Sequence, residues 1–332
     1  MTAAHTLTDL GWSAFFADQC RPDEAALLPQ RVATVHRARM GAVSEAGAVK
    51  LMLPVHTNTG DYAVGDWVLV EASTQILRRR LDRRTVLERR REGSTAPQLA
   101  AANVDALFIV TSCNADFNPT RLERYLALAN QGGAEPVIVL TKADVAEDAE
   151  RYRREALALQ RDLRVVIVNP REPEAATHLR PWCGTGRTVA VVGSSGVGKS
   201  TLVNTLAGPD NDAPQATGGI REHDAKGRHT TTSRSLHAIA GGGWIIDTPG
   251  IRSLQLGDAA EGLDTLFVEI TELAPECRFR DCTHAHEPGC AVQAAVAEGR
   301  LDPERLARWR TLRAENRGNT VVPTGPRGNK RR

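Results

Sequence analysis

Gly193-Ser194-Ser195-Gly196-Val197-Gly198-Lys199-Ser200 matches the phosphate-loop pattern at every specified position. Its context fits as well. The apolar run Thr188 to Val192 reads as a buried strand, and Gly198 to Leu206 reads as a helix. The chemistry requires these residue types. Glycines let backbone N–H groups turn inward around phosphates, and the helix N-terminus adds the positive end of its dipole. Lys199 is expected to reach the β- and γ-phosphate oxygens, and the Ser200 hydroxyl is expected to sit on Mg²⁺.

Downstream, Trp244-Ile245-Ile246-Asp247-Thr248-Pro249-Gly250 is an apolar strand ending in Asp-x-x-Gly. Asp247 lies where a carboxylate holds Mg²⁺ through water, and the Gly250 N–H can face the γ-phosphate. A loop held this way senses whether the γ-phosphate is present. Between the two motifs runs Gly227-Arg228-His229-Thr230-Thr231-Thr232. Thr231 is a candidate to complete the Mg²⁺ shell; a plain polar loop has the same spacing. Upstream, Thr141-Lys142-Ala143-Asp144 follows the apolar run Val137 to Leu140 and is similar to the Asn-Lys-x-Asp guanine motif of GTPases, with Thr in first place. Asp144 can accept from guanine N1 and N2, a donor pair that adenine lacks, so ATP would leave it unpaired. In ordinary GTPases the phosphate loop precedes the base motif. Here the order is reversed, as in a circular permutation, which leaves the spatial site intact when chain breaks fall in surface loops. One result is that the switch segment Asp247–Gly250 leads directly into the C-terminal part of the chain.

Around this centre, apolar runs at Val104–Thr111, Pro136–Thr141 and Val165–Val168 read as further strands. Helices are expected from Asn118-Pro119 to Ala129 and over Glu147–Leu163. Alternating strands and helices predict a mostly parallel α/β sheet with right-handed crossovers. Ahead of it, residues 1–30 form an arm with Leu7, Leu10, Phe15 and Phe16 available for packing. Short strands at Val32–Val35, Ala48–Leu53 and Trp67–Glu71 predict an OB-like β-barrel over residues 31–95. Such barrels often bind nucleic acid, although this one could simply pack on its neighbour. Arg78, Arg79, Arg80, Arg83, Arg84, Arg89, Arg90 and Arg91 crowd the end of that span, and Arg327, Lys330, Arg331 and Arg332 close the chain. Each cluster is either an electrostatic footprint for phosphate backbones or a solvated surface. The permuted α/β domain is expected over residues 100–258, with a basic, disordered tail over 318–332.

Behind the switch, Cys277-x4-Cys282-x-His284-x5-Cys290 offers three thiolates and one imidazole, the donor set of a structural zinc site with no open position. His286 competes with His284 on spacing alone. Helices near Ala291–Glu298 and Pro303–Asn316 complete a zinc-binding helical domain over 259–317. With 332 residues, 25% charged and 41% hydrophobic, the chain has an ordinary soluble composition with room for two or three domains. Six cysteines are too few for a disulfide framework. No secretory leader is read in Met1–Phe16 and no apolar run approaches the length of a membrane helix, so a cytoplasmic protein without a membrane partner is expected. Nothing in the sequence calls for an oligomer, so a monomer is expected.

Taken together and in this order, the Lys-x-Asp, Gly-x-Ser-Gly-Val-Gly-Lys-Ser, Gly-Arg-His-Thr-Thr-Thr, Asp-Thr-Pro-Gly and Cys-Arg-Phe-Arg-Asp-Cys-Thr-His motifs resemble the ribosome small subunit-dependent GTPase A family (RsgA, also called YjeQ) over nearly the whole chain. The resemblance implies an OB domain, a circularly permuted P-loop GTPase domain and a zinc domain. It further implies GTP hydrolysis stimulated by the small ribosomal subunit in late 30S maturation, with rRNA as a partner. It assigns GTP to Thr141, Lys142, Ala143 and Asp144 and to Gly193 through Thr201, and zinc to Cys277, Cys282, His284 and Cys290. Ile251 stands where many GTPases place a water-orienting Gln; the family's suggested substitute is His229. In the place of a fifth guanine motif the chain has Asn169-Pro170. Two rival readings are an ATPase or kinase using the same loop, and an RNA-binding assembly factor whose nucleotide is structural and turns over negligibly.

Overall fold

The computed structural model describes residues 5–89, 98–209, 234–248 and 256–320. Strands β1 (Leu27–Val35), β2 (Met40–Ser44), β3 (Gly47–Leu51), β4 (Trp67–Glu71) and β5 (Leu77–Arg80) form the expected barrel. β1 pairs antiparallel with β2 and β4, β2 with β3, and β4 with β5. A parallel bridge from Met52 to Ile76 closes the ring between β3 and β5. Val32, Met40, Ala42, Leu51, Val68, Val70 and Leu77 fill its interior. Their alternation along the strands is the two-residue period of a sheet with one buried face.

Most of the arginine cluster after the barrel is used inside the molecule. Arg79 pairs with Glu24 at 2.6 Å and holds that carboxyl down at about 2. Arg83 grips the fully buried Asp66 through two bonds of 2.6 and 2.8 Å, and Arg84 pairs with Asp105 at 2.5 Å. Arg78 pairs with Glu71, and Arg89 donates to the side chain of Gln98. These partners lie 7 to 55 residues away and are invisible to a count of local charge, while Arg78 and Arg84 keep 50% and 44% of their side chains exposed. Arg90 and Arg91 lie outside the described residues.

Strand β6 (Val86–Arg89) pairs with β7 (Gln98–Ala102) in a separate ribbon. The parallel sheet follows: β8 (Ala106–Ser112), β9 (Glu135–Thr141), β10 (Arg164–Ile167) and β11 (Thr188–Gly193), with β12 (Ser235–Ala238) and β13 (Trp244–Asp247) downstream. Their spatial order is β10-β9-β8-β11-β13-β12, parallel except for β12. β8 and β11 are buried along their whole length, which explains their unbroken apolar runs. The helix Pro119–Gly132 starts as expected, with the Asn118 side chain accepting from the Arg121 N–H. The expected helix over Glu147–Leu163 is shorter, Ala149–Leu157, and its end gives way to turns before β10. β2, β5, β6, β7 and β12 are short, polar-interrupted strands that periodicity did not single out.

The barrel and the parallel sheet are continuous, because Thr34 of β1 pairs with Ser235 of β12. Beside this seam the Arg31 guanidinium is buried and donates to the carbonyls of Leu10 (2.7 Å) and Asn103 (3.2 Å), over the Trp67 ring. Burial lowers its pKa to about 10. Asn103 has a positive φ of 55° and bonds across to the Gly65 carbonyl and the Arg84 N–H. One side chain thereby joins the N-terminal arm, the barrel and the start of the parallel sheet.

At the other end, the helix Pro303–Asn319 docks on Pro119–Gly132 through charge. Glu123, 0% exposed, accepts from Arg305 at 2.8 Å and Arg308 at 2.9 Å, and Arg305 also reaches Glu269 and the Phe267 ring. Removing one partner of a buried pair strands the others without water. Glu123→Ala is therefore expected to lower unfolding stability by about 3–5 kcal/mol in urea titrations; a loss below about 1 kcal/mol would show that this network does not hold the C-terminal helix.

Candidate functional site

The three nucleotide motifs come together because each ends a parallel strand. Thr141 closes β9, Gly193 closes β11 and Asp247 closes β13. Register aligns them: Ser112 of β8 opposes Thr141, Val110 opposes Gly193, and Val191 opposes Asp247. A crevice outside the carboxyl ends of parallel strands is where such sheets bind ligands.

The phosphate loop is fixed from both sides. A Cβ on Gly193 would stand 2.1 Å from the Val110 carbonyl oxygen, so only glycine lets β11 lie this close to β8. Gly198, at φ 98°, turns the chain into the helix Lys199–Ala207, whose first turn closes with Leu202 N–H donating to the Gly198 carbonyl. Val197 is buried in the core, and its carbonyl accepts from the Thr141 hydroxyl at 2.7 Å. Thr141 is itself fully buried. Its side chain therefore ties the base motif to the phosphate loop. The amine of Lys199 donates to the Ser194 carbonyl, spanning the loop from within. Lys142 has a left-handed φ of 57°, which turns the chain so that Ala143–Val145 form a short 3-10 turn with Asp144 exposed. Pro170 lies next to Gly198, and its carbonyl accepts from Thr205 at 2.6 Å. Asn169-Pro170 thus stands beside the loop, where the sequence offered no recognisable base motif.

Ser235 opposes Asp247 directly across the β12–β13 pair, and its hydroxyl bonds to the His237 ring at 2.7 Å. Burial lowers the pKa of His237, against the pull of Asp247. Next to Asp247, Thr248 is buried and its hydroxyl donates to the Val191 carbonyl. His229, Thr230, Thr231, Thr232, Gly250 and Ile251 lie outside the described residues.

The second cluster joins Cys277, Cys282, His284 and Cys290, whose ligand atoms all lie within 4.8 Å of one another. His286 is not among them. Cys277 Sγ is 3.5 Å from His284 Nδ1 and 3.8 Å from Cys290 Sγ, and His284 Nδ1 is 3.4 Å from Cys290 Sγ. A tetrahedron with Zn–S about 2.3 Å and Zn–N about 2.0 Å has edges of about 3.8 and 3.5 Å, so these atoms fit the ion. Burial and the neighbouring sulfurs push the Cys282 thiol up to about 12, a repulsion that a dication would reverse. The loop is set by Glu287, which accepts from the Thr283 hydroxyl and from the N–H groups of Thr283, Ala285 and His286, and is held well below the usual carboxylate range. His284 packs against Trp309, and its carbonyl accepts from Gln293 at 2.5 Å. The Cys/His cluster is thereby braced on the two C-terminal helices.

Comparison with known proteins agrees with this geometry. The model of the RsgA GTPase family matches residues 80–257. The small ribosomal subunit biogenesis GTPase RsgA of Mesorhizobium japonicum is 68% identical over 325 residues, covering 98% of this chain and 94% of that protein. Small ribosomal subunit biogenesis GTPase RsgA 2 of Vibrio vulnificus is 48% identical, covering 95% and 89%. Among solved structures, YjeQ from Thermotoga maritima has the same fold at TM-score 0.64 and 24% identity, over 88% of this chain and 99% of that one. YloQ, described as a circularly permuted GTPase, follows at TM-score 0.62 and 23% identity, over 91% and 99%. With its motifs in permuted order at the ends of one parallel sheet, this chain belongs to the RsgA GTPase family.

Proposed function

We propose that this protein hydrolyses GTP, that the small ribosomal subunit stimulates the reaction, and that the protein acts in late maturation of that subunit. The observation that carries the hydrolytic part is the meeting of Thr141–Asp144, Gly193–Ser200 and Asp247 at the carboxyl ends of one sheet. The partner rests on the relatives, which bear the name small ribosomal subunit biogenesis GTPase.

In this reading Gly193 through Thr201 cradle the phosphates, Lys199 neutralises the β- and γ-oxygens, and Asp144 reads guanine. Ser200 and Thr231 would hold Mg²⁺, with Asp247 beside the ion, and Gly250 would sense the γ-phosphate. When bound, Mg²⁺ supplies charge neutralisation on the transferred group. Water attacks in line, helped by the preorganised N–H groups of the loop. His229 is the candidate to position that water. The division of labour is the one expected from the sequence, an arm over 1–30, the barrel over 31–95, the hydrolase over 100–258, a zinc domain over 259–317 and a basic tail over 318–332, except that the barrel's first strand begins at Leu27 and the last helix runs to Asn319. The barrel and the zinc domain bind rRNA, and the zinc is structural, since four protein ligands leave no open position. Among the described residues no helix is long and apolar enough to cross a membrane. A cytoplasmic monomer fits the reading.

Phosphate release from GTP and ATP, with and without small ribosomal subunits, tests the whole. GTP-selective release that rises with subunits is expected, and Asp144→Asn should narrow the preference for GTP over ATP. Turnover indifferent to base would favour the ATPase or kinase reading, and negligible turnover the reading in which nucleotide is structural. His229→Ala should lower stimulated turnover about 10²-fold, the range of a lost positioning or general-base group, with GTP affinity held; equal loss of affinity would remove that role. Chelation should release one zinc per chain and unfold the module around Cys277–Cys290, read by hydrogen exchange, because metal binding of this kind contributes on the order of 10 kcal/mol to folding. A metal-free chain with unchanged exchange there would refute a structural zinc.

A further inference from the structure

Downstream of Asp247-Thr-Pro-Gly, the chain over Leu256–Ala259 is held by side chains at the end of the helix Pro303–Asn319. Glu315 accepts from the Leu256 N–H at 3.1 Å, Asn316 from the Ala259 N–H at 2.9 Å, and Thr320 from the Asp258 N–H at 3.2 Å. Asn319 donates back to the Leu256 carbonyl at 2.8 Å. Leu256 is buried, at 2% exposure. Its backbone finds these partners in side chains near the end of Pro303–Asn319, where a strand or helix of its own would normally supply them. Glu315 is in turn fixed by Arg124, at 2.8 and 3.0 Å, on the helix that begins just after β8. Within the motif, Thr248 is tied to Val191 of the phosphate-loop strand.

We infer that Glu315 and Asn316 are positioning residues for GTP hydrolysis, acting through the backbone of Leu256 and Ala259. They fix the backbone of Leu256 and Ala259, downstream of the γ-phosphate-sensing motif, from the C-terminal helix. The inference rests on the proposed GTPase reading and deepens it: the C-terminal helix is part of the hydrolytic device as well as of the metal module. Loss of the Leu256 bond should affect the γ-phosphate step and leave base and β-phosphate binding alone.

The test uses the full chain and three variants. Glu315→Ala removes the acceptor and the ion pair. Glu315→Gln keeps an oxygen for Leu256 and weakens the ion pair, and Arg124→Gln weakens the ion pair alone. Subunit-stimulated kcat for GTP should fall about fivefold in Glu315→Ala, the size of one net hydrogen bond, with KM and GDP affinity within about twofold of the parent. Glu315→Gln and Arg124→Gln should stay within about twofold on all three measures. The inference is overturned if Glu315→Gln falls as far as Glu315→Ala, if Glu315→Ala matches the parent, or if its loss follows lost zinc or a lowered melting temperature. A parent chain that does not hydrolyse GTP would overturn the functional reading and this inference with it. An active parent with silent variants would overturn the inference alone.

Discussion

Burying one guanidinium fixes how the front half of this molecule is assembled. Taking a cation out of water costs several kcal/mol even after relaxation, and among the described residues no carboxylate hydrogen-bonds to Arg31, although Asp105 and Asp66 attract it from a distance. Its charge is satisfied by carbonyls from residues 10 and 103 and by the face of Trp67, so those three segments can occupy only one arrangement. The neighbouring strand residues then bring Thr34 into register with Ser235, and Ser235 into register with Asp247. A row of three paired residues runs from the barrel wall to the carboxylate at the nucleotide crevice. The barrel is therefore an extension of the catalytic sheet through β1, and its position relative to the crevice is set by backbone pairing.

The back half is organised by the opposite charge. Glu123 is buried under Arg305 and Arg308, and Arg124, one residue on, reaches Glu315. Consecutive residues of one helix thus receive the C-terminal helix, whose first half braces the Cys/His cluster through Trp309 and whose end meets Leu256 and Ala259. One helix therefore joins that cluster to the backbone of Leu256 and Ala259.

The sequence made the chemistry legible because chemistry demands particular residues at fixed spacing. The phosphate-loop pattern, Asp247 at a strand end and the Cys277, Cys282, His284 and Cys290 cluster could all be read without knowledge of their neighbours. β8 and β11 were equally plain, since burial on both faces leaves an unbroken apolar run. What stayed hidden depended on partners distant in the chain. Arg79, Arg83 and Arg84 look like free charge until Glu24, Asp66 and Asp105 are placed beside them. Thr141 looks like a weakened Asn until its hydroxyl is found on the Val197 carbonyl. Arg31 and Glu315 carry no motif, and only the folded chain shows what they hold. The short strand β12 pairs with both β1 and β13, yet its four residues have no pattern to announce it.

The pairing of Thr34 with Ser235 also bears on how the chain is made. Synthesis delivers β1 and closes the barrel early, while the strand that completes β1's outer edge emerges some two hundred positions later. Likewise β8 must wait for β11 before its free edge is covered. From the synthesis of β8 until that of β11, then, the nascent chain carries both uncapped strand edges, a form that invites pairing with other chains. The β1 edge stays open longer still, so the newborn protein depends on shielding there until β12 emerges.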